Sequence, residues 1–312
     1  MVRVALVGHG FLGKWHAQKI EASPLASLDV IIEPNESSHE EILEKYPNVK
    51  ICKNEGEELD NVDALIISTP TQFHFEWLKV GLERNLHLFC EKPLVKNKSE
   101  LSEIRETLSQ RVVQVGHSER CHEMWEFVKE AMDFSSISNI SIDRSAAFKG
   151  RATDVSVVED LMIHDIDLLS WLFQMEPEFI GASGKKVLTD NYDDVKAYFK
   201  SPSDAFIDIR ASRVDSKETR EILVTNHQGV WRLDLLLQTL TYPDSQSQGH
   251  LEKSFSKRDH LAIEQEMFYR SILHGDSVFC SFDDGAKAVL NVEKVTSYLD
   301  QKELFSKRVV RS

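Results

Sequence analysis

The stretch Val4–Ala5–Leu6–Val7–Gly8–His9–Gly10–Phe11–Leu12–Gly13 decides how the first half of this chain folds. Its apolar start reads as a short buried strand. The glycines that follow keep the spacing GxGxxG and open a helical stretch that runs to about Ile20. The first glycine permits a tight turn, the second lets the backbone approach a pyrophosphate, and the third lets helix and strand pack closely. The helix N-terminus then offers unbonded N–H groups and a partial positive charge to phosphates. Alone the spacing is a weak signal; between a strand and a helix it stands in its confirming context. Gly8, Gly10, Phe11, Leu12 and Gly13 are therefore expected to hold a dinucleotide.

Working outward, a second β run, Leu28 to Ile32, ends at Glu33, twenty residues after Gly13. An acid there can accept hydrogen bonds from the adenosine ribose and would repel a 2′-phosphate, which favours NAD over NADP. Glu36 adds to that repulsion. The competing reading is a solvated turn residue before Pro34. Ser38–Lys45 reads as a helix, Val49–Cys52 and Ala64–Ile67 as strands, and Phe73–Arg84 as a helix. Leu86–Phe89 follows as a strand, Ser99–Gln110 as a helix and Arg111–Val115 as a sixth strand. Strands alternating with helices at this spacing predict a doubly wound parallel sheet. Ser68–Thr69–Pro70 and Glu91–Lys92–Pro93 would then lie at its carboxyl edge beside the glycine loop, lining one crevice. A lysine at such a strand end is either a surface charge or a working group.

The length of 312 residues allows two domains with full cores. The net charge, 37 − 51 = −14, argues against nonspecific nucleic-acid binding. It does not exclude an anionic small molecule held by a local cluster of donors. No apolar run has spanning length, and the N-terminus leads straight into a strand with no room for a signal peptide. Cys52, Cys90, Cys121 and Cys280 are scattered, which fits reduced thiols in a cytoplasmic protein and no resident metal.

A domain boundary is expected near 118, with 1–118 as the dinucleotide domain and 119–312 as a substrate and oligomerisation domain. Met124–Phe134 reads as a linking helix and Asn139–Phe148 as a strand with Ile140 and Ile142 on one face. Val157–Leu172 has apolar residues recurring at three and four. Asp160 and His164, four apart, would share a helix face, with Asp167 on the same side. A carboxylate beside an imidazole makes a positioned base. The same spacing also fits a metal-binding trio, or an acidic stripe with one core histidine. Phe179–Val187, Val195–Lys200, Ala205–Arg213, Arg220–Thr225 and Val230–Thr241 read as strands. Several strands in a row predict an antiparallel sheet in an α+β layer. Trp231, Leu233 and Leu235 alternate with Arg232, Asp234 and Leu236, so both faces are partly apolar, which supports an oligomer. Leu261–His274 and Asp283–Leu299 read as helices and the residues from Lys307 as a tail.

GHGFLG near the N-terminus, Thr69–Pro70 followed by His74, and Glu91–Lys92–Pro93 together resemble the Gfo/Idh/MocA family of oxidoreductases. The resemblance implies an α/β Rossmann domain followed by an α+β domain with a large, open, mostly antiparallel sheet, whose other face makes homodimers or homotetramers. It implies that Lys92 contacts the reacting hydroxyl, that the bond before Pro93 is cis, and that Glu91 helps to place the cofactor, with Ser68, Thr69, Pro70 and His74 near it. Asp160 and His164 match the family's Asp-x-x-x-His pair, in which the histidine is the general acid/base and the aspartate its partner or a substrate ligand. Ser156–Val157–Val158–Glu159 departs from the glycine-rich run that many members carry there. The run Arg151–Ala152–Thr153–Asp154–Val155 leading into Asp160–Asp167 resembles members that oxidise nucleotide sugars, in particular UDP-N-acetylglucosamine 3-dehydrogenases. Arg120, Lys149 and Arg151 are then candidate diphosphate partners, against the alternative of ordinary surface charges. The implied activity is oxidation of a secondary hydroxyl of a sugar or nucleotide sugar, UDP-N-acetylglucosamine at C3 foremost, by hydride transfer to NAD in the crevice between domains. Three rivals stand beside it: an NAD-retaining glycosidase, a non-catalytic NAD-binding sensor, and a metal hydrolase using Asp160, His164 and Asp167.

Overall fold

The computed structural model describes residues 1–108, 110–150 and 153–309, the side chains of 305–309 excepted. The chain divides into two compact units: Met1–Ser118 with Asp259–Val289, and Glu119–Arg258 with the residues from Leu290 onward.

The first unit is built on six parallel strands: β1 (Val2–Val7), β2 (Ala26–Ile32), β3 (Lys50–Cys52), β4 (Ala64–Ile67), β5 (His87–Glu91) and β6 (Val113–Gly116). Their order is β3-β2-β1-β4-β5-β6. β4 and the last four residues of β1 are buried along their whole length, so they carry unbroken apolar runs instead of alternation. Helices α1 (Phe11–Ala22), α2 (His39–Lys45), α3 (His74–Glu83) and α4 (Lys98–Thr107) follow β1, β2, β4 and β5. The winding reverses between β1 and β4, and beyond the carboxyl ends of strands at such a switch point open α/β sheets take their ligands.

The second unit opens with α5 (Met124–Ala131) and β7 (Asn139–Ser145). A π-helical turn, Val158–Met162, runs directly into α6 (Ile163–Trp171). Then come β8 (Glu178–Lys185), β9 (Asp194–Lys200), β10 (Phe206–Ser212), β11 (Thr219–Asn226), β12 (Gly229–Asp234), β13 (Thr239–Pro243) and β14 (His250–Ser254). The sheet order is β14-β13-β12-β11-β7-β10-β9-β8. Neighbours are antiparallel apart from the β7–β10 pair. One face buries Ile140, Ile142, Val195, Phe199, Ile209 and Val224. The other is largely charged, with Lys196 paired to Asp208 (3.0 Å) and Arg232 to Glu221 (2.6 Å).

Two strands differ from expectation. Residues 230–241 are two strands, not one. Asp234 accepts hydrogen bonds from the N–H groups of Leu236 (2.9 Å) and Leu237 (2.8 Å), and Gln238 takes a left-handed φ of 58°, so the three leucines form a turn. β14 was not expected, because every one of its residues is exposed and no apolar alternation marks it.

The division at 118 also needs correction: 119–312 is not one domain. α7 (His260–His274) buries Phe268 and Tyr269 in the core that holds Val4, Leu6, Ile20 and Phe89. The Gln114 amide on β6 donates to the Glu264 carbonyl (2.8 Å). An amphipathic helix carries no mark of which core it will join, so its return to the first unit is invisible in the sequence. α8 (Phe282–Val309) continues past Lys307, where a tail was expected.

Candidate functional site

Gly8 follows β1 with a positive φ of 85°. A Cβ there would lie 2.7 Å from the Ser68 carbonyl oxygen at the end of β4, and one on Gly13 would lie 2.1 Å from the Gly8 carbonyl oxygen. Only glycine lets the two strand ends and α1 come this close. Gly10 faces open space, and Phe11 (75%) and Leu12 (39%) are exposed beside it. Glu33 is not a free turn residue. Its carboxylate accepts from the N–H of His9 (2.9 Å) and of Asn35 (2.9 Å), which fixes a negative charge next to the glycine loop. Around the same loop, Ser68 Oγ, Thr69 Oγ1 and both ring nitrogens of His9 are buried without a partner. Buried polar atoms normally find one. A narrow backbone cradle, a fixed acid and unmatched polar atoms are what a dinucleotide requires, and the residues present fit that group.

Glu91 closes β5 and is buried; Lys92 after it is half-buried, and the Lys92–Pro93 peptide is cis. His74, expected near the cofactor, follows β4 at the start of α3. Its ring is buried, with Nδ1 2.8 Å from the Pro93 carbonyl and Nε2 3.0 Å from the Thr69 carbonyl. Burial pushes its pKa below the ordinary value, against the pull of those carbonyls. Both ring nitrogens of His74 thus face backbone carbonyls, one in the segment after β4 and one in the segment after β5, and a neutral ring donates to one of them. His16 on α1 is wholly buried, and its Nε2 lies 2.8 Å from Glu91 Oε1.

In the second unit, Asp160, Leu161 and His164 form a half-exposed strip along the π turn and the start of α6, while Met162, Ile163 and Asp165 to Leu169 are buried. A π turn takes one more residue per hydrogen-bonded ring than an α-helix, and such turns are frequent at functional sites. Asp167 does not lie on the strip. Both its oxygens are held by Arg120, Nε to Oδ2 at 2.8 Å and a terminal nitrogen to Oδ1 at 2.5 Å. This corrects two expectations together. Arg120 is a buried partner of Asp167 instead of a diphosphate ligand, and Asp160, His164 and Asp167 do not share a face as a metal trio would.

Behind the strip lies a buried charge network the sequence reading missed. Glu119 accepts from Arg144 (2.8 Å) and from the half-exposed Arg220 (3.3 Å), and pairs with His122 (2.7 Å). Arg144 also forks onto Asp165 (2.7–3.1 Å). Burial would push the Glu119 carboxyl up, but Arg144, the His122 bond and His164 together hold it well below the usual carboxylate range. One signal was available: Arg144 has the same strand parity as Ile140 and Ile142, so alternation alone turns it inward. Lys149 is exposed and paired with Glu218 (3.2 Å). It lines a cavity of about 60 Å³ with Arg144, Asp160, Leu161, Arg213 and Arg220. Arg151 lies outside the described residues.

Comparison with known proteins adds two family matches. Residues 2–118 match the oxidoreductase family with an NAD-binding Rossmann fold, and residues 133–232 match the GFO/IDH/MocA C-terminal domain. The chain is 29% identical over 294 residues to a UDP-N-acetylglucosamine 3-dehydrogenase of Acidithiobacillus ferrooxidans, covering 89% of this chain and 91% of that one. It is 24% identical to a myo-inositol 2-dehydrogenase of Thermotoga maritima, covering 99% and 98%. A solved structure of the Acidithiobacillus enzyme superposes with a TM-score of 0.87 at 28% identity, over 96% of this chain and 99% of that one. A scyllo-inositol dehydrogenase of Lactobacillus casei, solved with NAD(H) and scyllo-inositol, shares the fold, with a TM-score of 0.81 at 19% identity over 97% and 98%. The glycine cradle, the Glu91–Lys92–Pro93 strand end and the Asp160–His164 strip thus sit in a chain that belongs to the Gfo/Idh/MocA family of oxidoreductases with an NAD-binding Rossmann fold.

Proposed function

We propose that this chain oxidises a secondary hydroxyl of a nucleotide sugar, with UDP-N-acetylglucosamine at C3 as the first candidate and NAD as the acceptor. The observation that carries the reading is the near full-length similarity to a UDP-N-acetylglucosamine 3-dehydrogenase, joined to the half-exposed Asp160–His164 strip. NAD, when bound, supplies the acceptor for the hydride. His164 takes the proton of the substrate hydroxyl as general base, Asp160 orients its ring, and Lys92 offers N–H donors to the hydroxyl oxygen. Gly8, Gly10 and Gly13 leave room for the pyrophosphate, and Ser68 and Thr69 offer hydroxyls to the cofactor. Glu91 keeps a carboxylate at the root of Lys92. Lys149 and Arg220, which line the small cavity with Asp160, are the candidate donors to the anionic part of the substrate, together with Arg151. Oligomerisation through the open sheet face belongs to the same proposal.

The test is nicotinamide reduction by the purified protein with UDP-N-acetylglucosamine, UDP-N-acetylgalactosamine, myo-inositol and glucose, each with NAD and with NADP. Reduction with UDP-N-acetylglucosamine supports the reading. Reduction only with free polyols discards the nucleotide-sugar assignment, and sugar release without net NADH replaces dehydrogenation by glycoside cleavage.

Glu33 decides between the cofactors. A fixed carboxylate about 4 Å from a 2′-phosphate costs about 4 kcal/mol at an effective dielectric near 20, and about half of that survives solvent screening at a half-exposed site. The expected result is a kcat/KM for NAD roughly 30-fold or more above that for NADP, with Glu33→Gln reducing the ratio at least several-fold. An unchanged ratio in the variant would remove Glu33 from the discrimination.

A further inference from the structure

We propose that His16 is a positioning residue of the dehydrogenase site: its Nε2–H holds the Glu91 carboxylate in place at the root of Lys92, in a proton arrangement dictated by Gln265 and Tyr269. The proposal rests on the reading of Glu91–Lys92 as part of the cofactor and hydroxyl site.

Four side chains from three elements of the first unit meet here. His16 is on α1, three residues after Gly13; Glu91 ends β5; Gln265 and Tyr269 are on α7. His16, Gln265 and Tyr269 are 1% exposed or less and Glu91 is 8% exposed. The distances form a chain. Tyr269 donates its hydroxyl to Gln265 Oε1 (3.0 Å), Gln265 Nε2 lies 2.9 Å from His16 Nδ1, and His16 Nε2 lies 2.8 Å from Glu91 Oε1.

The direction of each bond follows from one atom that cannot change role. Gln265 Nε2 also lies 3.3 Å from the backbone carbonyl oxygen of His16, and a carbonyl oxygen only accepts. The amide nitrogen must therefore face it. A flipped amide would set oxygen against oxygen. The same nitrogen then donates to Nδ1, which leaves the ring proton on Nε2, aimed at the carboxylate. Tyr269 agrees with this order, since burial pushes its hydroxyl pKa up and it keeps the proton it donates.

Glu91 is enclosed on its other side by Gly116, where a Cβ would lie 3.0 Å from Oε2 and 3.1 Å from the carboxyl carbon. The carboxylate is thus boxed between an imidazole and a residue without a side chain. Burial favours its protonated form. The hydrogen bond from His16 and the charge of Lys92 outweigh this and hold its pKa below the ordinary carboxylate value, so it remains an anion. Without the Nε2 donor, a buried carboxylate loses its fixed partner and either takes up a proton or moves.

The experiment compares wild type with H16L, H16Q, G116A, E91Q and the H16L/E91Q double variant. It measures the NAD dissociation constant by calorimetry, kcat and KM, the thermal midpoint, and ¹⁵N-histidine spectra of the wild type. H16L should weaken NAD binding or lower kcat by roughly 10- to 100-fold, in the same pattern as E91Q. The double variant should be no worse than E91Q alone, because two residues acting through one bond are not additive. H16Q, whose amide nitrogen can stand where Nε2 stood, should recover most of the H16L loss. G116A leaves His16 untouched and crowds the carboxylate, and it should reproduce the E91Q pattern. The spectra should place the His16 proton on Nε2. The proposal is overturned if H16L lowers only the thermal midpoint, if the losses add in the double variant, or if the proton is on Nδ1. If no substrate is turned over at all, the dehydrogenase reading fails separately, while the spectra and the NAD affinities still decide the role of His16.

Discussion

His164→Ala is expected to lower kcat by about two to four orders of magnitude, the usual worth of a positioned general base, while leaving NAD affinity within a factor of two or so of wild type. The separation of effects follows from where the residues lie. Gly8, Gly13, Glu33, Ser68 and Thr69 belong to the first unit, and His164 belongs to the second. Its ring stands on the half-exposed strip with Asp160, at the junction of the π turn with α6. The measurement is steady-state turnover with the substrate found by the panel, set beside calorimetric NAD titration. Turnover that survives the substitution would move the base to another residue. Loss of NAD binding together with turnover would mean that the variant is misfolded or that the roles are wrongly divided.

Arg144→Met is expected to cost about 3–5 kcal/mol of stability, because removing one partner of a buried ion pair leaves the other uncompensated. Here Asp165, with a side chain 1% exposed, loses its arginine, while Glu119, 7% exposed, keeps His122 and the half-exposed Arg220. Methionine fills much of the volume, so the loss is chiefly electrostatic. A fall in the urea midpoint with an unchanged slope would register it; a loss below about 1 kcal/mol would mean that water or a rearrangement satisfies Asp165. Acid makes the same point without mutation. The Glu119 carboxyl is held well below its ordinary value of 4.5. Its contribution is therefore fully present above that value and is lost as pH falls through the lower, folded-state value. Denaturation midpoints taken downward from pH 5 should drop in wild type, and less steeply in Glu119→Gln.

The glycine loop could be read from the sequence because its demands are local. A turn at Gly8 and close packing at Gly13 leave no choice of residue, and the strand before and the helix after can be recognised within a few positions. Asp160 and His164 stand as candidates only by resemblance, since helical spacing alone fits a solvated stripe equally well, and a strand end alone leaves Lys92 either a surface charge or a working group. Other features were hidden for physical reasons. Arg120 looks like any surface arginine until the fold brings Asp167 to both arms of its guanidinium. Leu235–Leu237 look like strand, because the competing turn depends on the single carboxylate of Asp234. His16 sits one helical turn after Gly13 in plain view, yet the residue that gives it direction, Gln265, is 249 positions away.

Biosynthesis meets the same separation. The last strand of the first sheet ends at Gly116, and Phe268 and Tyr269, which complete its core, are translated about 150 residues later. At roughly 5–20 residues per second, that is about 8 to 30 seconds. During that interval the nascent sheet stands without the helix that covers it, its apolar surface open to chaperones and to neighbouring chains. One late helix closes the nucleotide-binding core and sets the proton on His16, so a chain released before residue 260 lacks the cover of its first unit and the direction of its buried relay.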